Sequence, residues 1–308
     1  MTDNILGVDV GGTNIKFGII STTGKIIYKS AFKTASFPNP EDFVEALFIH
    51  LDELGYARNI TGIGVGAPNG NYYKGTIDFA PNLPWKGIIP LSDIFKFRFN
   101  TKAVLSNDAN AAAIGEKIFG AGKHFKNFVS ITLGTGLGSG IIIDDQLLMG
   151  TNGYAGEFGH IRMINNGRKC NCGRYGCLET YASATGVMRT YEELKTSYMD
   201  SLLFSHENIT PETIFLEAKN NDELANRIID YTADILGSAL ADFACFSDPE
   251  AFILFGGLAN SGDEFAEKVK VSMENNLLTI FKGKIAVRRS GLEESSAALM
   301  GAAALYLS

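Results

Sequence analysis

The stretch ILGVDVGGTNIKFGIISTTGKII, residues 5–27, decides the fold of this chain. Two apolar runs, 5–9 and 15–20, flank the pair Gly11–Gly12, and the polar turn TTGK leads into a third run at 26–32. Short runs of this composition, bounded by glycine-rich or polar turns, are typical of strands joined by tight turns. The stretch therefore predicts three successive strands, the first two joined by a glycine turn.

The same plan returns near the middle of the chain. NFVSITLGTGLGSGIIIDDQLLM, residues 127–149, again runs through strand, glycine turn, strand, tight polar turn and strand. Self-similarity at a fixed spacing is the sequence signature of repeated architecture. We therefore expect an α/β chain of two lobes that face each other across a cleft, each opening with a β-hairpin and a glycine turn. The alternative is that the glycines are only turn residues of two hairpins.

The segments after the first repeat continue an α/β pattern. A helix is predicted over 40–54, because Pro40 suits a first turn, acidic residues follow it, and Gly55 ends the pattern. The apolar segment 61–66 is a predicted buried strand. This alternation of strands and helices supports the α/β class.

Composition narrows the function class. The 308 residues are 45% hydrophobic and 20% charged, the balance of a globular protein, and the formal net charge is −7. No basic cluster reverses the acidic balance locally, which argues against a nucleic-acid partner. We see no secretory signal and no apolar run long enough to span a bilayer, so we expect no membrane partner and a cytoplasmic location.

Both glycine turns are candidate phosphate-binding loops. Glycine lets the backbone come close to a ligand, so that N–H groups and a threonine hydroxyl can face phosphate oxygens. Asp9 ends the first strand and could hold Mg²⁺ directly or through water, whereas Lys16 is either a phosphate contact or a solvated side chain. The candidate residues are Asp9, Gly11, Gly12, Thr13 and Lys16 in the first repeat, and Gly134, Thr135 and Gly136 in the second.

A second candidate site is AVLSNDANAAAIGEKIFG, residues 103–120, where a short strand leads into an alanine-rich helix. Asn107 or Asp108 can be the N-cap of that helix, which is an ordinary structural role. Alternatively, Asp108 is a general base at the mouth of the strand and Asn107 orients a substrate hydroxyl. Both interpretations fit this stretch taken alone.

Three of the four cysteines lie within eight residues, in the pattern His160-x9-Cys170-x-Cys172-x4-Cys177. One imidazole and three thiolates form the ligand set of a closed tetrahedral Zn²⁺ site. Since the protein fills all four positions, such a zinc is structural and stiffens its loop. The alternatives are a redox pair or free structural thiols.

Carboxylates and an imidazole flank the cysteine block. Glu157 and His160 lie just before it, and Glu179 follows Cys177. Carboxylates accept hydrogen bonds from pairs of hydroxyl groups, and imidazole can do the same. These three side chains therefore suggest recognition of a ligand with several hydroxyl groups.

The motifs DVGGTNIK, NDANAAA, LGTGLGSG, AGEFGH and CNCGRYGCLE, in this order, resemble the ROK family of bacterial sugar kinases and repressors over essentially the whole chain. The resemblance implies a two-lobed actin/hexokinase-like fold (ribonuclease H-like, duplicated), with ATP and Mg²⁺ in the cleft and a hexose beneath the γ-phosphate. We expect a small lobe of residues 1–118 plus about 295–308, and a large lobe of residues 119–294 that carries the zinc loop. The family also suggests a homodimer.

The resemblance assigns roles residue by residue. It implies that Asp108 is the catalytic base and that Gly256 and Gly257 in ILFGGLAN lie on the adenosine side. It implies that His160 both ligates zinc and touches the sugar through its other ring nitrogen. The implied sugar contacts are Asn82, Asn107, Asp108, Glu157, His160 and Glu179.

Three positions depart from the family pattern. Ser106 stands where Glu is common, while Ser139 and Asn69 stand where Gly is common. Because Asn69 lies on the sugar side of the family fold, its segment bears on substrate preference. The roles of Asn69 and Ser139 stay open, as do oligomeric state and regulation.

The expected activity is ATP-dependent phosphorylation of a hexose at its 6-hydroxyl, with glucose as the first candidate. The alternatives are an N-acetylhexosamine, mannose or fructose kinase, or a non-catalytic sugar-sensing regulator. Family repressors carry a helix-turn-helix before the first strand, whereas the first strand here is expected to begin at Ile5. We therefore expect an enzyme.

Overall fold

The computed structural model describes residues 4–308, apart from the side chain of Glu294. Two compact units form. Unit 1 comprises the chain up to Lys126, Gly140–Gly156 and Gly291–Ser308, and unit 2 comprises Asn127–Ser139 and Glu157–Ser290. The lobe boundaries expected from the sequence stay a prediction, and the first three residues of the expected small lobe lie outside the described residues.

The strands of the described chain are numbered in sequence order. Strands β1 to β13 are Asn4–Val10, Asn14–Ser21, Ile26–Lys33, Ile60–Gly66, Gly70–Asn71, Thr76–Asp78, Ile88–Ile89, Ala103–Ser106, Phe128–Leu133, Leu137–Ile143, Gln146–Leu147, Ala251–Phe255 and Ala286–Arg289. Helices α1 to α9 are Pro40–Glu53, Leu91–Phe99, Asp108–Ile118, Ala184–Leu194, Pro211–Lys219, Glu223–Ser247, Gly257–Asn260, Asp263–Asn276 and Glu294–Leu307. Within residues 4–308, no helix is both long and apolar enough to cross a bilayer.

Two five-stranded sheets repeat one topology. The first has the order β3-β2-β1-β4-β8 and the second the order β11-β10-β9-β12-β13. In the first sheet β1 pairs antiparallel with β2 and parallel with β4, and β4 pairs parallel with β8. In the second, β12 pairs parallel with both β9 and β13. The duplication predicted from the two glycine-turn stretches is therefore present in the strand order.

The strands of the first repeat form where the sequence predicts them. The runs at 5–9, 15–20 and 26–32 lie inside β1, β2 and β3. Strand β2 is buried on nearly every residue, whereas β3 alternates between half-buried and exposed positions, as expected for a strand at the edge of a sheet. Helix α1 also matches its prediction, with Pro40 in the first turn and Gly55 just after its end at a φ of 77°.

Helix α9 packs on the first sheet at positions that only glycine can fill. A Cβ on Gly7 of β1 would lie 2.5 Å from the carbonyl oxygen of Leu299, and a Cβ on Gly64 of β4 would overlap the carbonyl of Ala302. Leu299 completes a small core with Ile5. The missing side chains therefore let the helix backbone rest directly on the strands, which support the site residues at their carboxyl ends.

We predict that Gly64→Ala lowers the free energy of unfolding by about 2–3 kcal/mol, because the new methyl group forces α9 away from β4. Gly66→Ala is the matched control on the same strand, since its Cβ would meet only Ala111 and Asp108, at 3.5 Å and 4.0 Å. Urea unfolding of both variants measures the difference. Equal stability of the two variants would show that the close approach of α9 is not a constraint.

Candidate functional site

The carboxyl ends of three parallel strands bring the first group of site residues together. Asp9 of β1 is in register with Gly66 of β4, and Gly66 is in register with Ser106 of β8. Asn107 and Asp108 follow directly. Because Gly66 has no side chain, no side chain of β4 separates Asp9 from Asp108 at this edge of the sheet.

Asn107 is the N-cap of α3, and Asp108 is the first residue of the helix. The Asn107 Oδ1 atom accepts a hydrogen bond from the N–H of Asn110 at 2.7 Å. The Asp108 Oδ1 atom accepts one from the N–H of Ala109 at 2.9 Å. The sequence left open whether Asn107 or Asp108 is the N-cap. The structure shows that the cap is Asn107, so the Asp108 carboxylate is not used for capping.

The Asp108 side chain reaches the surface, yet protein atoms fill most of the volume around it. This desolvation raises the pKa of Asp108 above its ordinary value, although the bond from Ala109 opposes the shift. The carboxylate is therefore open to a ligand, and the N–H of Ala109 holds one of its oxygens.

Asp9 is half-buried. Burial raises the pKa of its carboxyl group from 3.8 to about 6, the negative charge of Asp108 adds to the increase, and Lys16 opposes it. Lys16 is the strand partner of Asp9 on β2, and its own side chain is exposed. Two carboxylates close to one another with a single lysine beside them form a site that a divalent cation would suit.

The first glycine turn packs closely against its surroundings. A Cβ on Gly11 would lie 2.8 Å from the carbonyl oxygen of Asn14, and one on Gly12 would lie 2.8 Å from that of Asn82. Gly12, Thr13 and Asn82 are exposed. The turn therefore offers bare backbone at the surface next to Asn82, as a phosphate-binding turn requires.

The family departures have local explanations in unit 1. Asn69 takes a φ of 52°, a left-handed conformation that Asn tolerates better than most residues, and its Nδ2 donates to Asp78 O at 3.1 Å. Asn can therefore replace the usual glycine there. Ser106 is fully buried and its Oγ accepts a hydrogen bond from Asn110 at 3.2 Å. Ser139, in unit 2, is buried.

The second glycine turn connects β9 to β10 and lies beside Glu179. The Glu179 Oε2 atom accepts a hydrogen bond from the N–H of Leu137 at 3.0 Å, and a Cβ on Gly136 would overlap this carboxylate. Gly134 and Thr135 are exposed. A glycine is thus required at position 136 by the neighbouring carboxylate.

Gly256 and Gly257 lie at the same sheet edge as the second glycine turn. Phe255, the last residue of β12, is in register with Thr132 of β9. Gly256 has a φ of 102°, and a Cβ on it would lie 2.7 Å from the carbonyl oxygen of Leu133. The two glycine segments of unit 2 are therefore neighbours.

His160, Cys170, Cys172 and Cys177 come together in unit 2. One ligand atom from each lies within 4.8 Å of the others. The Cys172 and Cys177 Sγ atoms are 3.7 Å apart, and His160 Nδ1 is 3.7 Å from Cys170 Sγ. The edge of a tetrahedron with Zn–S bonds of about 2.3 Å is about 3.8 Å, so the donor atoms have a zinc-like spacing.

The backbone of the cysteine loop is folded by two glycines. Gly173 and Gly176 have φ values of 89° and 75°, and a Cβ on Gly176 would overlap the carbonyl of Ile164. The N–H of Cys170 donates to the carbonyl oxygen of Arg174 at 2.8 Å. All three cysteines of the loop are free thiols, and burial raises the pKa of Cys170 to about 12.

His160 connects the cysteine cluster to Glu157. Its Nδ1 atom faces Cys170, while its Nε2 atom lies 4.0 Å from Glu157 Oε2. Glu157 is exposed, and His160 is half-buried. The ring thus has one nitrogen facing the cysteine thiols and the other facing Glu157.

Sequence reasoning missed Arg168, which fixes the cysteine loop to α4. Its Nη1 atom donates to the carbonyl oxygens of Thr180 and Gly186 at 2.7 Å and 3.1 Å, and its Nη2 atom pairs with Glu193 at 2.6 Å. The guanidinium lies 4.5 Å from the ring centroid of Tyr181. No local pattern in the sequence marks this residue, because its partners lie 12 to 25 residues away.

The structure divides the sequence-predicted site residues between the two units. Unit 1 contains Asp9, Gly11, Gly12, Thr13, Lys16, Asn82, Asn107 and Asp108. Unit 2 contains Gly134, Thr135, Gly136, Glu157, His160, Cys170, Cys172, Cys177, Glu179, Gly256 and Gly257. Within each unit these residues cluster at strand ends or on the cysteine loop.

The chain is similar to known proteins over nearly its whole length. The model of the ROK family matches residues 5–308. A glucokinase of Thermotoga maritima is 34% identical over 306 residues, covering 98% of this chain and 96% of that protein. A xylose repressor of Caldicellulosiruptor bescii is 30% identical, covering 99% of this chain and 78% of the repressor.

Among solved structures, a ROK family glucokinase from Streptomyces griseus, crystallised with glucose and AMPPNP, has a TM-score of 0.82. It is 34% identical, and the match covers 99% of both chains. This likeness confirms the predicted α/β fold of the actin/hexokinase type. The family model covers nearly every described residue, and the chain belongs to the ROK family.

Proposed function

We propose that this protein transfers the γ-phosphoryl group of ATP to the 6-hydroxyl of a hexose, with glucose as the first candidate. Relatives named glucokinase, at 34–38% identity, and the structural neighbour that holds glucose and AMPPNP support this activity. The observation that carries the proposal is the Asp108 carboxylate, which is exposed, largely surrounded by protein and not used as the helix cap.

Asp108 is suited to accept the proton of the sugar hydroxyl. It lies in the first turn of α3, where the partial positive charge of the helix favours an anion. Phosphoryl transfer has a largely dissociative transition state, so the acceptor needs positioning more than strong activation. In this mechanism Asp108 accepts a hydrogen bond from the 6-hydroxyl and so aligns a lone pair of the hydroxyl oxygen with the γ-phosphorus. It takes the proton as the new P–O bond forms and the bond from the γ-phosphorus to the β–γ bridging oxygen breaks, which releases ADP.

Asp9 is the residue that would hold Mg²⁺. Its carboxylate is half-buried and lies near the like charge of Asp108. Burial and then that like charge raise its pKa, Lys16 opposes them, and a cation bound beside it would oppose them further. Mg²⁺ supplies charge neutralisation for the transferred phosphate. The two glycine turns would present N–H groups to the phosphates. Their residues are Gly11, Gly12 and Thr13 in unit 1 and Gly134, Thr135 and Gly136 in unit 2. Gly256 and Gly257 are assigned to the adenosine side.

The hexose contacts in this proposal are Asn82 and Asn107 in unit 1 and Glu157, His160 and Glu179 in unit 2. Support comes from the free ring nitrogen of His160 next to the exposed Glu157. Asn107 uses its Oδ1 atom as a cap, which leaves the amide N–H₂ to donate to a sugar oxygen. Glu179 keeps further lone pairs after accepting the Leu137 N–H.

A structural zinc is part of the proposal. The spacing of the three thiols and the His160 nitrogen supports it, and no disulfide competes for these cysteines. With four protein ligands the zinc has no open position for substrate, so it orders the loop that presents Glu157, His160 and Glu179. The homodimer, the cytoplasmic location and the absence of a nucleic-acid partner stay predictions.

A sugar-sensing regulator is the second candidate function, because a xylose repressor is among the relatives. Such a sensor needs a sugar site but no phosphate-binding turn and no cation site. The exposed Gly12 and Thr13 and the charge environment of Asp9 favour the kinase. Mannose, fructose and N-acetylhexosamines are alternative substrates of the same site.

We predict that the purified protein phosphorylates glucose with ATP and that Asp108→Asn reduces turnover about 100-fold or more while glucose binding is retained. Asn has the size of Asp, and the cap is Asn107, so the melting temperature stays within a few degrees. A coupled assay of ADP release over a panel of hexoses measures both activity and preference. Turnover of Asp108→Asn near the wild-type rate would show that the base lies elsewhere, and glucose binding without any phosphorylation would favour the regulator.

We predict that Asp9→Asn weakens the use of Mg·ATP, leaves glucose binding nearly intact and stabilises the ligand-free protein above pH 6. The folded-state pKa of Asp9 is raised from 3.8 to about 6, so its ionisation destabilises the fold as pH rises through that window. Removing the charge therefore adds at most about 3 kcal/mol to the free energy of unfolding above pH 6, and only about 0.5 kcal/mol near pH 4.

Thermal unfolding of Asp9→Asn and of the wild type between pH 4 and pH 8, without Mg²⁺ or nucleotide, measures the difference in stability between the two proteins. Asp200→Asn, which removes the same charge from an exposed side chain, is the matched control and should show no such trend. A stability gain for Asp9→Asn that does not depend on pH would contradict the assigned cause. Lost glucose binding with normal ATP affinity would contradict the assigned role.

We predict one zinc per chain in the purified protein and its loss in Cys172→Ser, because one of four ligands is removed. The melting temperature should fall with the metal, and glucose affinity should weaken since the loop carries its contacts. Cys245→Ser is the control, since Cys245 is an exposed thiol of α6. Elemental analysis that finds no zinc in the wild type, or equal zinc in both variants, would refute this site.

A further inference from the structure

The carbonyl groups of the second glycine turn are held by the first turn of α4. The N–H of Ala184 donates to the carbonyl oxygen of Gly134 at 2.9 Å. The Thr185 hydroxyl donates to the carbonyl oxygen of Thr135, also at 2.9 Å. Two successive peptide groups of the turn are therefore fixed from one side.

Fixing these carbonyls also fixes the direction of two N–H groups. The described chain contains no cis peptide bonds, and in a trans peptide the C=O of one residue points opposite to the N–H of the next. With the carbonyls of Gly134 and Thr135 facing α4, the N–H groups of Thr135 and Gly136 point away from that helix. Across residues 4–308, neither N–H donates to another protein group.

The other N–H groups of the turn are already used. Gly134 donates to the carbonyl oxygen of Gly136 at 3.1 Å, and Leu137 donates to Glu179 at 3.0 Å. Gly138 donates to the hydroxyl oxygen of Thr132 at 3.1 Å. In the described part of the chain the N–H groups of Thr135 and Gly136 thus remain as two neighbouring donors, and successive free N–H groups of this kind form an anion-binding nest.

The first glycine turn is held in the same way. The Thr34 hydroxyl donates to the carbonyl oxygen of Gly11 at 2.6 Å, and the Thr34 N–H donates to that of Thr13 at 3.1 Å. The N–H of Gly12 therefore points away from Thr34. A threonine from a distant segment holds the turn in each repeat, which speaks against a chance contact of Thr185.

Thr185 is not needed to start α4. The N-cap is Ser183, whose Oγ accepts a hydrogen bond from the N–H of Gly186 at 3.1 Å. Thr185 itself is exposed. The Thr185 Oγ1 atom also lies 3.0 Å from Ser183 Oγ, but the Ser183 hydroxyl has its own acceptor, the carbonyl oxygen of Glu179 at 2.7 Å, so the cap does not depend on the Thr185 hydroxyl.

We propose that Thr185 is a positioning residue for nucleotide binding, because its hydroxyl orients the Thr135–Gly136 peptide so that the N–H pair of the turn faces a phosphate group. That this phosphate group belongs to the triphosphate of ATP rests on the proposed function. Thr185 does not touch the nucleotide in this proposal.

The test compares Thr185→Val, which keeps the shape and removes the donor, with Thr185→Ser, which keeps the donor. We expect Thr185→Val to weaken ATP binding about 5- to 10-fold, the effect of one lost hydrogen bond, with adenosine binding unchanged. The KM for ATP should rise by the same factor, while the KM for glucose and the melting temperature stay at wild-type values. Thr185→Ser should restore ATP binding to within about twofold.

The matched control is Thr101→Val in unit 1, where a threonine hydroxyl likewise donates to a backbone carbonyl, that of Thr61, at 3.0 Å. Its ATP and glucose constants should not change. Calorimetry with ATP and with adenosine separates the two proposals, because ATP binding can be measured whether or not glucose is phosphorylated. Wild-type protein that binds ATP without phosphorylating glucose would refute only the proposed function.

Several outcomes overturn the role of Thr185. These are unchanged ATP binding in Thr185→Val, equal weakening of ATP and adenosine, and a defect in Thr185→Ser as large as in Thr185→Val. A lowered melting temperature with equal losses for ATP and glucose would indicate a purely structural contact. Wild-type protein that binds no ATP would overturn both proposals.

Discussion

The planarity of the trans peptide is the constraint on which both glycine turns depend. A turn that presents N–H groups to an anion must turn the preceding carbonyls to the other side, and those carbonyls then need donors of their own. Thr34 supplies the donors in unit 1, and Ala184 with Thr185 supplies them in unit 2. Glycine makes the close approach possible, but the supporting threonines decide which way the peptides face.

The two carboxylates of unit 1, Asp9 and Asp108, destabilise the ligand-free fold when both are ionised. Asp9 and Asp108 lie near one another at the carboxyl ends of parallel strands, and burial raises the pKa of both. A fold selected for stability alone would separate or neutralise them. Their arrangement is understandable if a cation and a phosphate complete the site, since Mg²⁺ supplies the positive charge that Lys16 provides only in part.

Local patterns were sufficient to predict the strands of both repeats, helix α1 and the grouping of His160 with the three cysteines. These features depend on periodicity, turn residues and short spacings. The roles of Thr185 and Arg168 could not be predicted, because their bonds join residues up to 50 positions apart and leave no local trace. The choice between Asn107 and Asp108 as the cap also needed the structure, since both residue types cap helices equally well.

Glu179 connects the cysteine cluster to the second glycine turn. Its Oε1 atom is 3.8 Å from Cys170 Sγ, while its Oε2 atom accepts the N–H of Leu137 at the end of the glycine turn. One carboxylate therefore contacts the cysteine cluster and the second glycine turn at once. Arg168 holds the same loop to α4, the helix whose first residues hold the turn. Within unit 2, hydrogen bonds thus join the loop, the helix and the turn to one another, so a change in one of them is transmitted to the other two through named contacts.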